Sequence, residues 1–494
     1  MLEKNEEFTV VIEDISEDGA GIGKTEGFTW FVKDTVIGDV VEAKVMKKKK
    51  NYGFARLVRV ITPSPDRVEP KCAVARACGG CQLQAMDYKA QLRFKERKIY
   101  GHLTRIGGVE ELALPGEARA GREDAAGEGE SLPGEARAGR GHAAGGGESV
   151  LEMEPILGME NPWRYRNKAQ FPCGRNKDGK IVFGFYAGRT HAIIEQNDCV
   201  LGIEENGKIL EIIGQFMEEF GIEPYDEQGH SGLVRHVLIR KGFKTGEIMV
   251  CLVINGDRLV HGEELVKRLK KVEGMVSVSC NINRERTNVI LGEKMVNLFG
   301  PGYITDRIGE VTYQISPQSF YQVNPLQTEK LYQTALEYAG LTGEETVWDL
   351  YCGIGTISLF LAQKAKKVYG VEIVPAAVED ARENARINGI TNAEFYTGRA
   401  EAVLPEQYEK NGISADVIVV DPPRKGCDKA CLDTIVKMAP KRVVYISCDS
   451  ATLARDVKYL RERGYQVKRV RGIDQFGHCV HTETCVMLSK IGIF

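Results

Sequence analysis

Cys448 closes an apolar run, Val443-Val-Tyr-Ile-Ser447-Cys448-Asp449, and Ser450–Tyr459 after it has helical spacing. A strand end of this kind faces the ligand crevice of an open α/β sheet, and a helix N-terminus beside a thiol favours the thiolate. A cysteine in apolar company is more often core filler. Its neighbours decide otherwise. Glu483 heads the last apolar run, Val480-His481-Thr-Glu483-Thr-Cys485, with His481 two residues before it. Either side chain could take a proton from a bound substrate, and on intrinsic pKa the imidazole suits the task better. A nucleophilic thiol with a proton acceptor is the equipment of covalent catalysis.

A second constellation binds rather than reacts. Thr346-Val-Trp-Asp349-Leu-Tyr351-Cys-Gly353-Ile-Gly355 is an apolar strand running into a glycine turn, and Thr356–Ala365 then reads as a helix. Glycine lets backbone approach a ligand closely at a strand end. The next strand, Lys367–Val371, ends in Glu372, 23 residues after Asp349, where an acid can accept from ribose hydroxyls. A third, Asp416–Val420, ends in Asp421-Pro-Pro-Arg424. Three polar signals at successive strand ends point to a nucleotide-type cofactor. NAD is the obvious candidate, but its G-x-G-x-x-G pattern fails here because Ser358 fills the last position.

A third group suggests a metal. Cys72, Cys78 and Cys81 follow a C-x5-C-x2-C spacing, unlike common zinc fingers. Four thiolates serve zinc and iron–sulfur clusters alike, so a fourth cysteine is needed. The chain holds thirteen cysteines, an odd number, and its N-terminus does not read as a signal peptide. A reducing cytoplasm is expected, with the cysteines free, ligating or catalytic.

The elements that must position these groups divide the 494 residues into three parts. At 43% hydrophobic and 27% charged, with no apolar run of membrane-spanning length, the chain reads as globular and free of the membrane. Nothing in it indicates a protein partner, and a monomer is expected. Residues 1–65 are short strands and turns, the spacing of an OB-like barrel. Between Lys44 and Arg59 lie seven cations and no acid, with Tyr52 and Phe54 among them. Cations track phosphates and aromatic faces stack on bases, which suits single-stranded RNA despite a net charge of −3. Residues 66–310 form a mostly β central domain, with a helix over Leu83–Ile106. Residues 311–494 alternate strand and helix, a doubly wound α/β domain. From 108 to 149 the composition turns to Gly, Ala, Glu and Arg, and Leu114–Arg122 recurs word for word as Leu132–Arg140. A repeat without core-forming residues reads as a disordered, low-complexity insertion.

Together these motifs resemble the RNA uracil-5 methyltransferase family, and residues 1–65 resemble its TRAM domain, a small RNA-binding barrel. The likeness covers nearly the whole chain outside 108–149. Asp349-x-Tyr351-x-Gly353-x-Gly355 is similar to the first motif of class I methyltransferases, with Tyr351 where most have glycine. Ser316-Pro-Gln318-Ser-Phe-Tyr-Gln322-Val-Asn324 matches the segment before the methyltransferase domain. The resemblance implies a C-terminal class I, Rossmann-like methyltransferase domain that binds S-adenosylmethionine through Gln318, Tyr351, Glu372 and Asp421. It makes Cys448 the nucleophile and, through the H-x-E-T signature, Glu483 the base. It adds Cys199 to Cys72, Cys78 and Cys81 as ligands of a [4Fe–4S] cluster, with zinc and Cys173 as alternatives.

The thiol then has a reason. Carbon 5 of uracil is too weak a nucleophile to attack a sulfonium methyl group, and a thiolate added to carbon 6 activates it. The barrel and the four cysteines look like the 23S ribosomal RNA enzymes, with tRNA as the alternative substrate. A radical enzyme would need C-x3-C-x2-C, which is absent. An amine methyltransferase would carry an aromatic residue where Arg424 stands. An RNA-binding protein without catalysis would have no use for Cys448 and Glu483.

Overall fold

A computed structural model describes residues 2–117, 150–188 and 192–492. The repeat Leu132–Arg140 and most of the low-complexity segment lie outside the described residues.

The first five strands are β1 (Glu7–Ile15), β2 (Gly21–Thr25), β3 (Phe28–Val32), β4 (Val40–Lys48) and β5 (Tyr52–Thr62). They close into a barrel in the order β1-β2-β3-β5-β4. Phe8, Val10 and Ile12 alternate inward along β1, and Trp30 fills the barrel core at 1% exposure. Gly53 is required beside it, because a Cβ there would stand 2.2 Å from the Trp30 ring.

Helix α1 (Tyr88–Arg105) starts at Asp87, whose carboxylate accepts from Lys89 N. The folded chain continues past residue 108. Val109 and Leu112 are buried in the C-terminal core, and β6 (Leu112–Ala113) pairs with β7 (Leu151–Glu152) across the insertion. The apolar side chains at 109 and 112 therefore belong to the fold, and the low-complexity character begins later. Strand β8 (Glu154–Leu157) follows.

The central sheet contains β9 (Lys168–Arg175), β10 (Ile181–Tyr186), β11 (Ile193–Glu195), β12 (Val234–Lys241), β13 (Ile248–Ile254), β14 (Met275–Ile282) and β15 (Lys294–Phe299), in the order β11-β10-β9-β12-β13-β14-β15. Helices α2 (Glu205–Glu219) and α3 (Gly262–Leu269) cover one face, where Phe171, Phe216, Val250 and Leu265 share a core.

A hairpin of β16 (Ile304–Ile308) and β17 (Val311–Ile315) leads to α4 (Pro325–Ala339), whose N-cap Asn324 accepts from Gln327 N. The remaining elements are β18 (Thr346–Leu350), α5 (Thr356–Ala362), β19 (Lys367–Glu372), α6 (Pro375–Ile387), β20 (Ala393–Thr397), α7 (Ala400–Asn411), β21 (Val417–Val420), α8 (Lys429–Met438), β22 (Arg442–Ser447), α9 (Ser450–Arg461), β23 (Tyr465–Ile473) and β24 (Glu483–Lys490). They build the expected doubly wound sheet, ordered β20-β19-β18-β21-β22-β24-β23-β8. The strand order reverses between β18 and β21, the place where open sheets bind ligands. β24 runs antiparallel to β22 and β23. Its head therefore meets the tails of the parallel strands.

Candidate active site

That inverted strand collects the chemistry. The tails of β18, β19, β21 and β22 carry Tyr351, Glu372, Asp421 and Cys448, and the head of β24 carries Glu483. All five line one cavity of about 730 Å³. A space of this size suits a drug-sized ligand. A cavity of about 850 Å³ between the barrel and α1 is larger, but none of these residues reaches it. Its Arg93, Arg97, Lys98 and Arg105 face as many acids, Glu13, Asp14, Glu17 and Asp66.

Tyr351 adopts a left-handed φ of 71°, the conformation that a glycine would take more easily. Gly353, two residues on, has φ 54° and open space where a Cβ would stand. Glu372 orders the turn, since its carboxylate accepts from Gly353 N at 3.1 Å and from Val374 N at 2.9 Å. Asp349 lies beneath, fully buried, and accepts from Ser358 Oγ.

Burial dominates the electrostatics. It pushes the Asp349 and Asp421 carboxyls up to about 7. Glu483 is raised well above the carboxylate range by burial and then by the Asp421 charge, while Arg424 opposes the shift. Its Oε2 is buried with no hydrogen-bond partner among the described residues. The Cys448 thiol is pushed up to about 11 by burial, then by Glu483 and Asp421.

This corrects one expectation. The start of α9 does not favour the Cys448 thiolate. Asp449 stands between them as the N-cap, and its carboxylate accepts from Ala451 N and Thr452 N at 3.0 Å each. Two of the free N–H groups of the helix end are engaged by that acid. The Cys448 thiol is neutral in the resting site.

Gln318 is not brought to the cavity. Its amide is exposed and donates to the Gly292 carbonyl at 2.9 Å. Phe320 and Gln322 from the same segment line the cavity instead. Phe320 is 71% exposed at the mouth, a position that its apolar type concealed in the sequence. His481 does not line the cavity either. Sequence reasoning missed Arg424 as the cation that acts on both Cys448 and Glu483, although the run Asp421-Pro-Pro-Arg424 displayed it.

The other cysteines separate in space. Cys72, Cys78, Cys81 and Cys199 line one cavity of about 390 Å³. Arg166 and Lys168 also line it, and neither has an ion-pair partner among the described residues. Burial, then Arg240 and Arg166, push the Lys168 ammonium down to about 8. Four thiols facing uncompensated cations fit an anionic thiolate centre. The sulfurs are not drawn together, and among the described residues no three potential ligands converge at metal-binding distance. Cys173 points into the helix-covered core and is not part of this group.

Comparison with known proteins agrees with this arrangement. The tRNA (uracil-5-)-methyltransferase family profile matches residues 261–491, and the TRAM domain profile matches residues 2–58. An uncharacterized RNA methyltransferase of Clostridium tetani is 45% identical over 99% of this chain and 98% of its own. A similar protein of Halalkalibacterium halodurans is 47% identical over 98% and 97%. The crystal structure of Pyrococcus abyssi tRNA (uracil-54, C5)-methyltransferase in complex with S-adenosyl-L-homocysteine superposes with a TM-score of 0.72. It is 25% identical and covers 97% of this chain and 99% of its own.

Proposed function

Because the chain belongs to the S-adenosylmethionine-dependent RNA uracil-5 methyltransferases with a TRAM domain, we propose that it methylates carbon 5 of a uridine in 23S ribosomal RNA. Cys448 is the nucleophile and Glu483 the base. The observation that carries this reading is the antiparallel β24, which sets Glu483 on the same cavity wall as Cys448. The target uridine must leave its stack to reach them.

The Cys448 thiol gives up its proton to solvent, its sulfur adds to carbon 6, and the electron pair of the 5,6 double bond moves toward carbon 5 and the 4-carbonyl. S-adenosylmethionine, when bound, supplies an electrophilic methyl group. Carbon 5 bonds that methyl carbon as the methyl–sulfonium bond breaks, its electron pair staying on the sulfur of the departing thioether. Glu483 then takes the carbon-5 proton, the double bond re-forms, and the sulfur–carbon bond breaks to release the Cys448 thiolate. A carboxyl with raised proton affinity is a stronger acceptor than a solvated one. The same burial disfavours the ionised form that must accept this proton, and Arg424 opposes that shift. Tyr351, Glu372 and Asp421 would hold the cofactor, Glu372 through ribose hydroxyls. Gln318 would join them only after its amide leaves Gly292.

Cys72, Cys78, Cys81 and Cys199 hold a [4Fe–4S] cluster in this reading, with structural rather than radical chemistry. Their shared cavity supports it, as do Arg166 and Lys168, which have no ion-pair partner among the described residues. The enzyme acts as a monomer in the cytoplasm. All thirteen cysteines are free, as suits a reducing compartment, and no described helix is long and apolar enough to cross a membrane.

A tRNA substrate is the second reading. The Pyrococcus abyssi tRNA enzyme covers 97% of this chain, which must include most of the barrel, so the barrel alone does not mark a ribosomal enzyme. Mapping 5-methyluridine in ribosomal RNA and tRNA, with and without this gene, separates the two. Loss confined to tRNA would sink the ribosomal assignment, and no loss in either would sink both.

A further inference from the structure

We propose that a fully buried ion pair, Lys95 with Asp474, positions Glu483 and Phe476 for catalysis by fixing the loop between β23 and β24. The proposal rests on the reading of Glu483 as the base. Lys95 Nζ donates to Asp474 Oδ1 at 2.5 Å and to the Phe476 carbonyl at 2.9 Å. Both side chains are 0% exposed. Tyr88 Oη donates to Asp474 Oδ2 at 2.7 Å. Between them on α1, Gln91 Oε1 accepts from His478 N at 3.0 Å, and its amide nitrogen meets His478 Nδ1 at 3.1 Å. Tyr88, Gln91 and Lys95 are three and four residues apart, so one face of α1 holds the loop.

Such a pair stabilises a fold little more than an apolar pair of the same volume would. What it supplies is a single arrangement. His478 is held at a left-handed φ of 65°, a conformation that persists only where its surroundings impose it. Phe476 lines the catalytic cavity, and Glu483 follows the loop directly. Glu483 Oε2 has no hydrogen bond among the described residues to hold it, so its backbone sets its place, paired with Ile473 at one end of the loop and entered from the other. The loop that ends at the base is therefore held from α1, a helix outside the parallel-strand core. Small misplacements of a reacting group are costly in rate.

The test is a neutral, near-isosteric pair, Lys95→Met with Asp474→Asn, which keeps an acceptor for Tyr88 but removes the donor to Phe476. The expected result is a melting temperature close to wild type and an unchanged KM for S-adenosylmethionine. With it, kcat falls about tenfold or more, and a covalent enzyme–RNA adduct accumulates on ordinary uridine RNA as proton removal slows. If the pair does not fold, Tyr88→Phe, which deletes one hydroxyl, must show the same adduct at a smaller kcat loss. A folded variant that turns over as wild type, or that loses cofactor affinity in step with kcat, overturns the proposal. Wild-type enzyme that forms no adduct with 5-fluorouridine RNA overturns the covalent reading itself, a result distinct from either.

Discussion

Cys448 faces Glu483 through the antiparallel register of β22 and β24. Ser447 pairs with Thr484, the residues next to the thiol and the carboxyl, and Cys448 and Glu483 line one cavity. The two groups are 35 residues apart in sequence and meet only because β24 enters the sheet inverted.

The raised acids make activity and stability respond to pH in opposite directions. Asp349 and Asp421 bind protons more tightly in the folded chain, at about 7, than in the unfolded chain. Stability is therefore full below the ordinary carboxylate range and is lost as pH rises toward about 7. Turnover needs Cys448 and Glu483 without their protons, so kcat should rise across the same interval. Melting temperatures and kcat measured from pH 5 to 8 check both slopes. Asp349→Asn should flatten the stability slope, because the amide still accepts from Ser358.

Iron content should sort the cysteines. Protein prepared without oxygen should contain iron and acid-labile sulfide, and serine at Cys72, Cys78, Cys81 or Cys199 should remove both. Cys173→Ser should keep the iron while costing about 1–3 kcal/mol for a hydroxyl buried in the core. Bound zinc without sulfide would refute the cluster.

Gly53→Ala should damage the barrel alone. The new methyl group meets the ring of the buried Trp30 at 2.2 Å. RNA affinity should fall severalfold while S-adenosylmethionine affinity holds, as calorimetric titration of each ligand would show.

Much of this site was legible because strand-end chemistry is contiguous in sequence. The glycine turn at Gly353, Glu372 after β19 and Asp421 after β21 each sit where an apolar run stops. Glu483 was less so, since residue types alone favoured His481, and the family resemblance decided between them. The state of Cys448 was not legible. It depends on Asp449 capping α9 and on burial beneath two acids, which spacing does not reveal. Gln318 matched its motif, but its side chain turns to Gly292, a partner 26 residues away that the motif does not specify. Lys95 and Asp474, 379 residues apart, carried no sequence signal that they would meet. Val109 and Leu112 were hidden in a segment whose composition is otherwise that of a disordered loop.

Glu483→Gln should remove the proton acceptor without disturbing the fold, since the amide has nearly the shape of the carboxyl it replaces. Turnover should fall by about 10²–10⁴. Addition and methyl transfer would still proceed, so the variant should hold ordinary uridine RNA as a denaturation-resistant complex on a gel. Full activity in this variant would move the base elsewhere.

The covalent route stands most directly on Cys448→Ala, tested with 5-fluorouridine RNA and a labelled methyl donor. The wild-type enzyme should give a labelled protein–RNA band that survives denaturation, because fluorine cannot be removed as a proton. The alanine variant, folded as wild type, should give no band and no methylated product. A methylated product from Cys448→Ala would contradict the nucleophile, and with it the central claim.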